Sequence, residues 1–549
     1  MKTKRILIVA IAVIAISIGL TSLKNDDKSF EISKNLNIFA SLFRDVNLFY
    51  VDEVNPEKMV TTGINAMLKS LDPYTVYYPE SETEDVKLMT TGEYAGIGSV
   101  ISKKGDQVII REPYKNSPAD KAGLLPGDVI LAIDGNSTKG KDVAGVSAML
   151  KGQPGKEMTI KVKREYHEKP LVKKAIREKI QLPCVPYYGM VNEKTGYIYL
   201  TSFTDKSAAD VRTALIELKN KGAEYMIFDL RGNSGGLLDQ AVEIVNYFVP
   251  KNSKVVSTKG KVKQWDKEYT AGKNPIVPDI PLVVLIDRGS ASAAEIVSGA
   301  LQDLDRAVIM GERSFGKGLV QNVRDLAYNT KLKVTTAKYY IPSGRCIQAL
   351  DYTHRNPDGS VGKVPDSLIT EYTTLKGRKV YDGGGINPDI KIAPEEFARI
   401  TQELVLQDLT FDFINNYALR HEKIDDIEQF KITDEIYNEF KDYLKNLKFS
   451  YETESQRILD KLIDIAKNEK YYDISKETIE KLKQEFQHSV ERDMNLFRDE
   501  ITSFLTEQFL QRYYYLEGLL QYRSKHDKEI LKAAELLANQ EEYRKILQP

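Results

Sequence analysis

The stretch VLIDRGSASAAEIVSGALQD, residues 284–303, decides how the chain is read. Its first residues continue an apolar run that begins at Leu282. A turn of small residues follows, and from Ala293 the apolar positions recur at helical spacing. Strand, tight turn and helix in that order form the unit of an α/β layer. Two serines stand in the turn. Ser292 is followed three residues later by Glu295, the capping-box pattern, and Ser290 is also placed to cap, so both have a plain structural reading. A nucleophilic reading of either needs more: an activating base, an orienting group and donors for an oxyanion.

Working outward, TGYIYL (195–200), EYMIFDL (224–230), RAVIMG (306–311) and KVTTAKYYI (333–341) read as strands, and 237–248 as a helix. Residues 167–393 are therefore expected to form a mixed α/β core, with the polar, turn-rich insertion near 349–382 as a surface loop. Ahead of it, residues 91–166 switch to short β-rich runs, Gly-rich turns and short helices. Residues 30–90 read as a small helical lead-in, with helices from Leu36 and over about Pro56–Leu71. After Pro394 the next 154 residues contain one glycine, Gly518, and no proline before Pro549, which predicts an all-helical extension over 394–549. Its apolar stripes require cover. An internal bundle, a homodimer and a docking surface for a substrate or adaptor all remain open.

A chain of 549 residues is too long for one core, so a multidomain α/β protein is expected. The formal net charge of -1 supplies no field to draw nucleic acid. Lys2, Lys4 and Arg5 precede an uncharged run from Ile6 to Leu23, which reads as a signal peptide or membrane anchor over 1–24. The protein is thus expected to be exported, either periplasmic or anchored to the inner membrane facing the periplasm. The run sits at the lower edge of what spans a bilayer and shows no clear small-x-small cleavage site, so both forms stay open. Cys184 and Cys346 are too few for a disulfide framework, and the sequence leaves their pairing undecided.

None of the five histidines falls in a turn beside a core strand, and there is no G-x-S-x-G elbow. A lysine base is available in GERSFGKGLVQ (311–321), where Lys317 sits between two glycines. To accept a serine proton it must be neutral, and burial without a counter-charge brings a lysine down from its ordinary value of about 10.4. The plain alternative is a solvated loop lysine. Residues 311–318 also come within one residue of a phosphate-binding loop. Position 318, however, is glycine where a hydroxyl would hold Mg²⁺, and a strand-like run follows where a helix should start. Neither a metal nor a nucleotide cofactor is implied.

Residues 92–163 resemble a PDZ domain: GIGSV fits its carboxylate-binding loop, SPADKAGLLPGDVILAIDG its central helix-turn-strand, and VAGVSAMLKGQPGKEMTIKVKR its last helix and strand. Gly96, Ile97 and Gly98 can then turn backbone N–H groups toward a peptide carboxylate. Behind it, DLRGNSGG, GSASAAEI, GERSFGKGLVQ, YYIPSGRCIQ and GGGINPDI follow in order, and LDPYTVYYP precedes. Together they resemble the carboxy-terminal processing, or tail-specific, proteases, PDZ-containing serine peptidases with a Ser–Lys dyad. The resemblance spans about 35–393. It implies an endopeptidase that recognises protein or peptide substrates with free C-termini, with Ser292 as nucleophile, Lys317 as base and Gln321 as its orienting partner. For the oxyanion, Ala293 N–H and a glycine of DLRGNSGG, Gly235 or Gly236, are the expected donors. Ala294 stands where many relatives carry a further serine. A catalytically inactive PDZ scaffold is the competing reading.

Overall fold

The computed structural model describes residues 28–548, apart from 357, 487 and 488. The segment 1–24 expected to be a signal peptide or anchor lies outside the described residues; within them no helix is long and apolar enough to cross a membrane. The chain divides into a first unit, up to Tyr77 with Leu332–Val334, and a second, Tyr78–Lys331 with Thr335–Pro549. The described part of the first holds helices α1 (28–49) and α2 (Pro56–Lys69). Proline at its first position and Asn55 Oδ1 accepting from Lys58 N–H at 2.9 Å start α2 there.

The second unit opens with α3 (Thr83–Thr91) and β1 (Glu93–Gly96). The PDZ-like part follows: β2 (Ser99–Lys104), β3 (Gln107–Pro113), α4 (Pro118–Lys121), β4 (Val129–Ile133), α5 (Val143–Leu150), β5 (Glu157–Lys163) and β6 (Leu171–Ile176). Its strands form an antiparallel sheet in the order β2-β3-β4-β5-β6, closed over Ile110, Ile130, Val146, Ile160 and Val162. The sheet runs on to Ile176, past the boundary expected at 166. In β6 only Ala175 is buried, so this edge strand carries little apolar alternation for a sequence reading to catch. β7 (Glu178–Gln181) returns antiparallel along β1 and joins the entrance of the domain to its exit.

The α/β core is built on β8 (Tyr187–Met190), β9 (Thr195–Tyr199), α6 (Ser207–Asn220), β10 (Tyr225–Asp229), α7 (Leu238–Asn246), β11 (Lys254–Gly260), β12 (Leu282–Ile286), α8 (Ala293–Asp303), β13 (Val308–Gly311), β14 (Leu319–Asp325), β15 (Lys331–Tyr340) and β16 (Ile390–Lys391). The main sheet has the order β8-β9-β10-β12-β13-β16, parallel except at β8–β9. All five residues of β12 are 0% exposed, which requires cover on both faces. Helices α6, α7 and α8 supply one layer, burying Leu215, Ile244 and Val297 against Phe228, Leu282 and Val284.

The second layer comes from the end of the chain. The described residues of 394–549 form α9 (Arg399–Leu406), α10 (Leu409–Ala418), α11 (Asp434–Asn446), α12 (Glu454–Asn468), α13 (Tyr472–Glu485), α14 (Val490–Leu496), α15 (Arg498–His526), α16 (Lys528–Ala538) and α17 (Gln540–Leu547). The last two lay Ile530, Ala533, Leu537 and Tyr543 on Ile227, Val283, Leu285 and Val308. Helices α9, α10, α11, α14 and α15 bundle around aromatic residues, with Phe413 4.9 Å from Phe440 and 6.3 Å from Phe509 between ring centres. Two kinds of cover are thus used at once, an internal bundle and the α/β core. The α12–α13 hairpin closes on its own small cluster around Leu459 and Ile463, leaving Ile458, Leu462 and Ile465 exposed.

The segment 349–382, expected as a surface loop, folds instead into two hairpins, Leu350–Arg355 with Val361–Lys363 and Glu371–Thr373 with Lys379–Tyr381. Arg378 pins the second to the core, donating to Asp305 Oδ1 and to Asp389 Oδ1, each at 2.6 Å. Part of the polarity that suggested a loop is a buried ion-pair network. The two cysteines stay apart as free thiols, the buried Cys184 lying 2.7 Å from Thr204 Oγ1.

Candidate active site

β12 and α8 present the small-residue turn of the opening stretch. Ser290 is completely buried; its hydroxyl donates to Leu230 O at 2.8 Å and accepts the Asp287 N–H at 2.9 Å. It is thereby a tie between the ends of two parallel strands. Ser292, only partly buried, holds φ 55° and ψ −112°, a conformation a non-glycine residue keeps only when its surroundings impose it. Its carbonyl accepts from the buried Tyr339 hydroxyl at 3.2 Å. A serine on a strained strand-to-helix turn is the geometry that exposes a nucleophile.

The loop 232–236 packs directly on this turn. At Gly235, φ is 100° and a Cβ would stand 2.7 Å from Ala291 O and 2.8 Å from Ser292 Cβ, so only glycine fits. Asn233, fully buried, holds the loop from inside: its Nδ2 donates to Leu200 O at 2.8 Å and its Oδ1 accepts Gly235 N–H at 2.8 Å. The Gly235 donor is therefore spent. Among the described residues the N–H groups of Gly236 and of Ala293, at the first turn of α8, meet no acceptor. The choice the sequence left between the two glycines depends on a neighbouring asparagine side chain.

Lys317 lies half-buried in the loop between β13 and β14. Glu295, completely buried in α8, gathers this loop and the serine turn onto one carboxylate. Its Oε1 accepts the Ser314 hydroxyl at 2.6 Å and Gly316 N–H at 2.7 Å; its Oε2 accepts Ser292 N–H and Lys317 N–H, each at 2.8 Å. Burial pushes this carboxyl above its ordinary range while those four donors pull it back. The Ser314 oxygen already accepts Ile386 N–H at 2.6 Å, so its proton points at Glu295 and all four contacts suit a carboxylate. The capping-box pattern pointed to Glu295 as the partner of Ser292; its reach to the lysine loop was invisible in the sequence. Gly316, at φ 88°, lies against Ala349, and Gly318 N–H donates to Gln348 Oε1 at 2.8 Å, so both flanking glycines serve close backbone approach. Gln321 follows on β14, where its Nε2 donates to Thr335 Oγ1 at 3.2 Å, a neighbour the sequence did not single out.

Of the peptide-loop residues, Gly96 and Ile97 line a separate groove of about 200 Å³ between β2 and α5, and Gly98 is not part of its lining. The carbonyls of Ile97 and Gly98 accept from Ala119 N–H and from the Ser117 hydroxyl, each at 2.8 Å, on the side of α4. Gly98 is at φ 71°. The Tyr94 ring lies over Gly96, 2.8 Å from where a Cβ would stand, and its hydroxyl is within reach of the N–H groups of Ser99 and Gly98. Burial raises this phenol far above its ordinary value, so it stays neutral in the groove.

An α/β core with a strained serine turn, preceded by a peptide-groove domain, defines a PDZ-bearing peptidase, and comparison with known proteins agrees. Residues 194–361 match peptidase family S41, 109–164 a PDZ domain, and 400–537 the C-terminal helical domain of probable PDZ-proteases. The chain is 37% identical over 324 residues to a carboxy-terminal-processing protease of Bartonella bacilliformis, covering 58% of this chain and 74% of that one. It is 30% identical over 466 residues to a probable CtpA-like serine protease of Staphylococcus aureus, covering 84% and 90%. Among solved structures, the photosystem II D1 C-terminal processing protease aligns over 66% of this chain and 93% of its own at 26% identity, with a TM-score of 0.35. The chain belongs to the S41 peptidases, the carboxy-terminal processing proteases, and is a serine-type peptide hydrolase.

Proposed function

We propose that the protein is an exported endopeptidase that captures the free C-terminus of protein substrates in its PDZ groove and cuts them with a Ser292–Lys317 dyad. The observation that supports this reading is the buried carboxylate of Glu295, which accepts from the backbone N–H of both residues, so that the serine turn and the lysine loop meet at one group. Neutral Lys317 takes the proton from Ser292 Oγ as the oxygen attacks the scissile carbonyl. The N–H groups of Ala293 and Gly236 receive the oxyanion, aided by the positive end of α8. As the C–N bond breaks, the Lys317 ammonium returns the proton to the leaving amine. Water then attacks the acyl ester, giving a proton to Lys317, which passes it to Ser292 Oγ as the acyl–oxygen bond breaks, so that the acid product leaves and the dyad is restored. Gln321, steadied by Thr335, orients the lysine. In the PDZ groove, the nest at Gly96–Gly98 takes the substrate carboxylate once the Tyr94 hydroxyl moves aside.

The test uses one peptide made with a free and with an amidated C-terminus. The reading expects hydrolysis of the acid form with a markedly lower KM, and loss of both activities in Ser292→Ala and Lys317→Ala. Equal cleavage of acid and amide would remove tail recognition. Turnover by either single variant would remove the dyad.

A further inference from the structure

Arg231, in DLRGNSGG, immediately precedes the loop that packs on Ser292. Its guanidinium forks onto Asp229, with Nε 3.0 Å from Oδ1 and Nη2 2.6 Å from Oδ2. The remaining arm reaches another domain: among the described residues Nη1 finds its acceptors only in the C-terminal helices, Asp527 Oδ2 at 3.0 Å and Glu529 Oε2 at 3.3 Å. Asp527 is itself rigidly placed, since its Oδ1 caps α16 by accepting Glu529 N–H at 2.9 Å and Ile530 N–H at 3.1 Å. That helix is seated on the sheet by Ile530, Ala533 and Leu537, each 0% exposed.

A second grip lies on the neighbouring strand. The Tyr543 hydroxyl of α17 accepts Leu282 N–H at 2.9 Å and donates to Leu282 O at 3.0 Å, at the start of the strand that delivers Ser292. The end of the chain therefore holds both strands that feed the site, β12 at its beginning and β10 at its exit. The Arg231 anchor is charged and partly buried, so it defines the position of the backbone from which Gly232–Gly236 depart.

We infer that the C-terminal helices are part of the catalytic apparatus: Asp527 and Glu529 are positioning residues that act through Arg231 to hold the oxyanion loop against Ser292. The inference rests on the Ser292–Lys317 reading and gives residues 527–547 a role beyond covering the sheet. A helix that merely covers the sheet needs apolar contacts; it does not need two carboxylates turned toward the arginine of a catalytic motif. Removing the helices would bare the sheet, so the test relies on single atoms.

The full chain is prepared as wild type, Glu529→Gln, Asp527→Asn/Glu529→Gln and, as a control, Glu428→Gln, which alters a carboxylate paired to Lys525 on the exposed surface of the same domain. For each, kcat and KM on a tail-bearing peptide, the Kd of a peptide boronic acid that mimics the oxyanion on Ser292, and the unfolding temperature are measured. The double variant is expected to lose about tenfold in kcat and the same factor in boronate affinity, with KM unchanged, since a loosened donor is misplaced only for the tetrahedral state. Glu529→Gln, which leaves Arg231 two carboxylates, is expected to show the same pattern more weakly, so the idea stays testable if the double variant folds poorly. Glu428→Gln is expected to match wild type. A fall in unfolding temperature with kcat and boronate affinity unchanged would overturn the inference. Activity retained in Ser292→Ala would instead strike the dyad itself, a separate failure.

Discussion

Glu295→Gln tests the junction of the site. The carboxylate serves four donors, two on each oxygen. An amide keeps one accepting oxygen and turns an NH₂ toward the other two donors. If the oxygen stays with Ser314 and Gly316, the N–H groups of Ser292 and Lys317 lose their acceptor and face another donor. Each bond to the charged group is worth about 1.5–3 kcal/mol, so the gross loss is about 3–6 kcal/mol; relaxation on the half-open side of Ser292 and Lys317 brings the expected loss of stability to roughly 2–4 kcal/mol. The effect on chemistry is larger in proportion, because the lost bonds belong to the backbone of the proposed nucleophile and base. A misplacement of about 1 Å lowers kcat roughly 100-fold. The assay is steady-state cleavage together with the rate of Ser292 labelling by a fluorophosphonate, both well below the unfolding temperature. Both should fall together with KM little changed. Wild-type labelling and kcat in a folded Glu295→Gln protein would refute the idea that this carboxylate sets the dyad.

Ser290→Ala is expected to keep catalysis and lose about 1–3 kcal/mol of stability, because its buried hydroxyl ties two strand ends; loss of chemistry at full stability would reverse the roles of the two serines. Tyr94→Phe removes a hydroxyl that competes for the peptide nest, so KM for a tail-bearing peptide should fall about threefold or more while an amidated peptide is unaffected. The proposed base, Lys317, takes the serine proton only when neutral, so kcat should rise with pH, and a profile favouring acid would argue for another base.

Much of the architecture was legible because it rests on local pattern. LVVLI, apolar at every position, announced a strand, and the run from 395 onward with one glycine announced helices. What the sequence withheld is long-range pairing. The second face of β12 is covered from the far end of the chain, where the apolar stripe of α16 would equally have served a bundle or a dimer. The hairpin at 371–381 looked like a loop because its anchor, Arg378, is a charged residue buried against carboxylates outside the segment. Within the site, the serine turn and the glycine-flanked lysine stood out by residue type. The spent donor of Gly235, by contrast, depends on where the Asn233 side chain turns, and no spacing rule encodes that.

The central claim is that Ser292, activated by Lys317, is the attacking residue. Its most direct test is mass-spectrometric localisation of the adduct after brief exposure of wild type and Lys317→Ala to a fluorophosphonate. The account predicts one modified residue, Ser292, in wild type and labelling slowed by orders of magnitude in the lysine variant; an adduct on Ser290 or elsewhere, or equal labelling without Lys317, would contradict it.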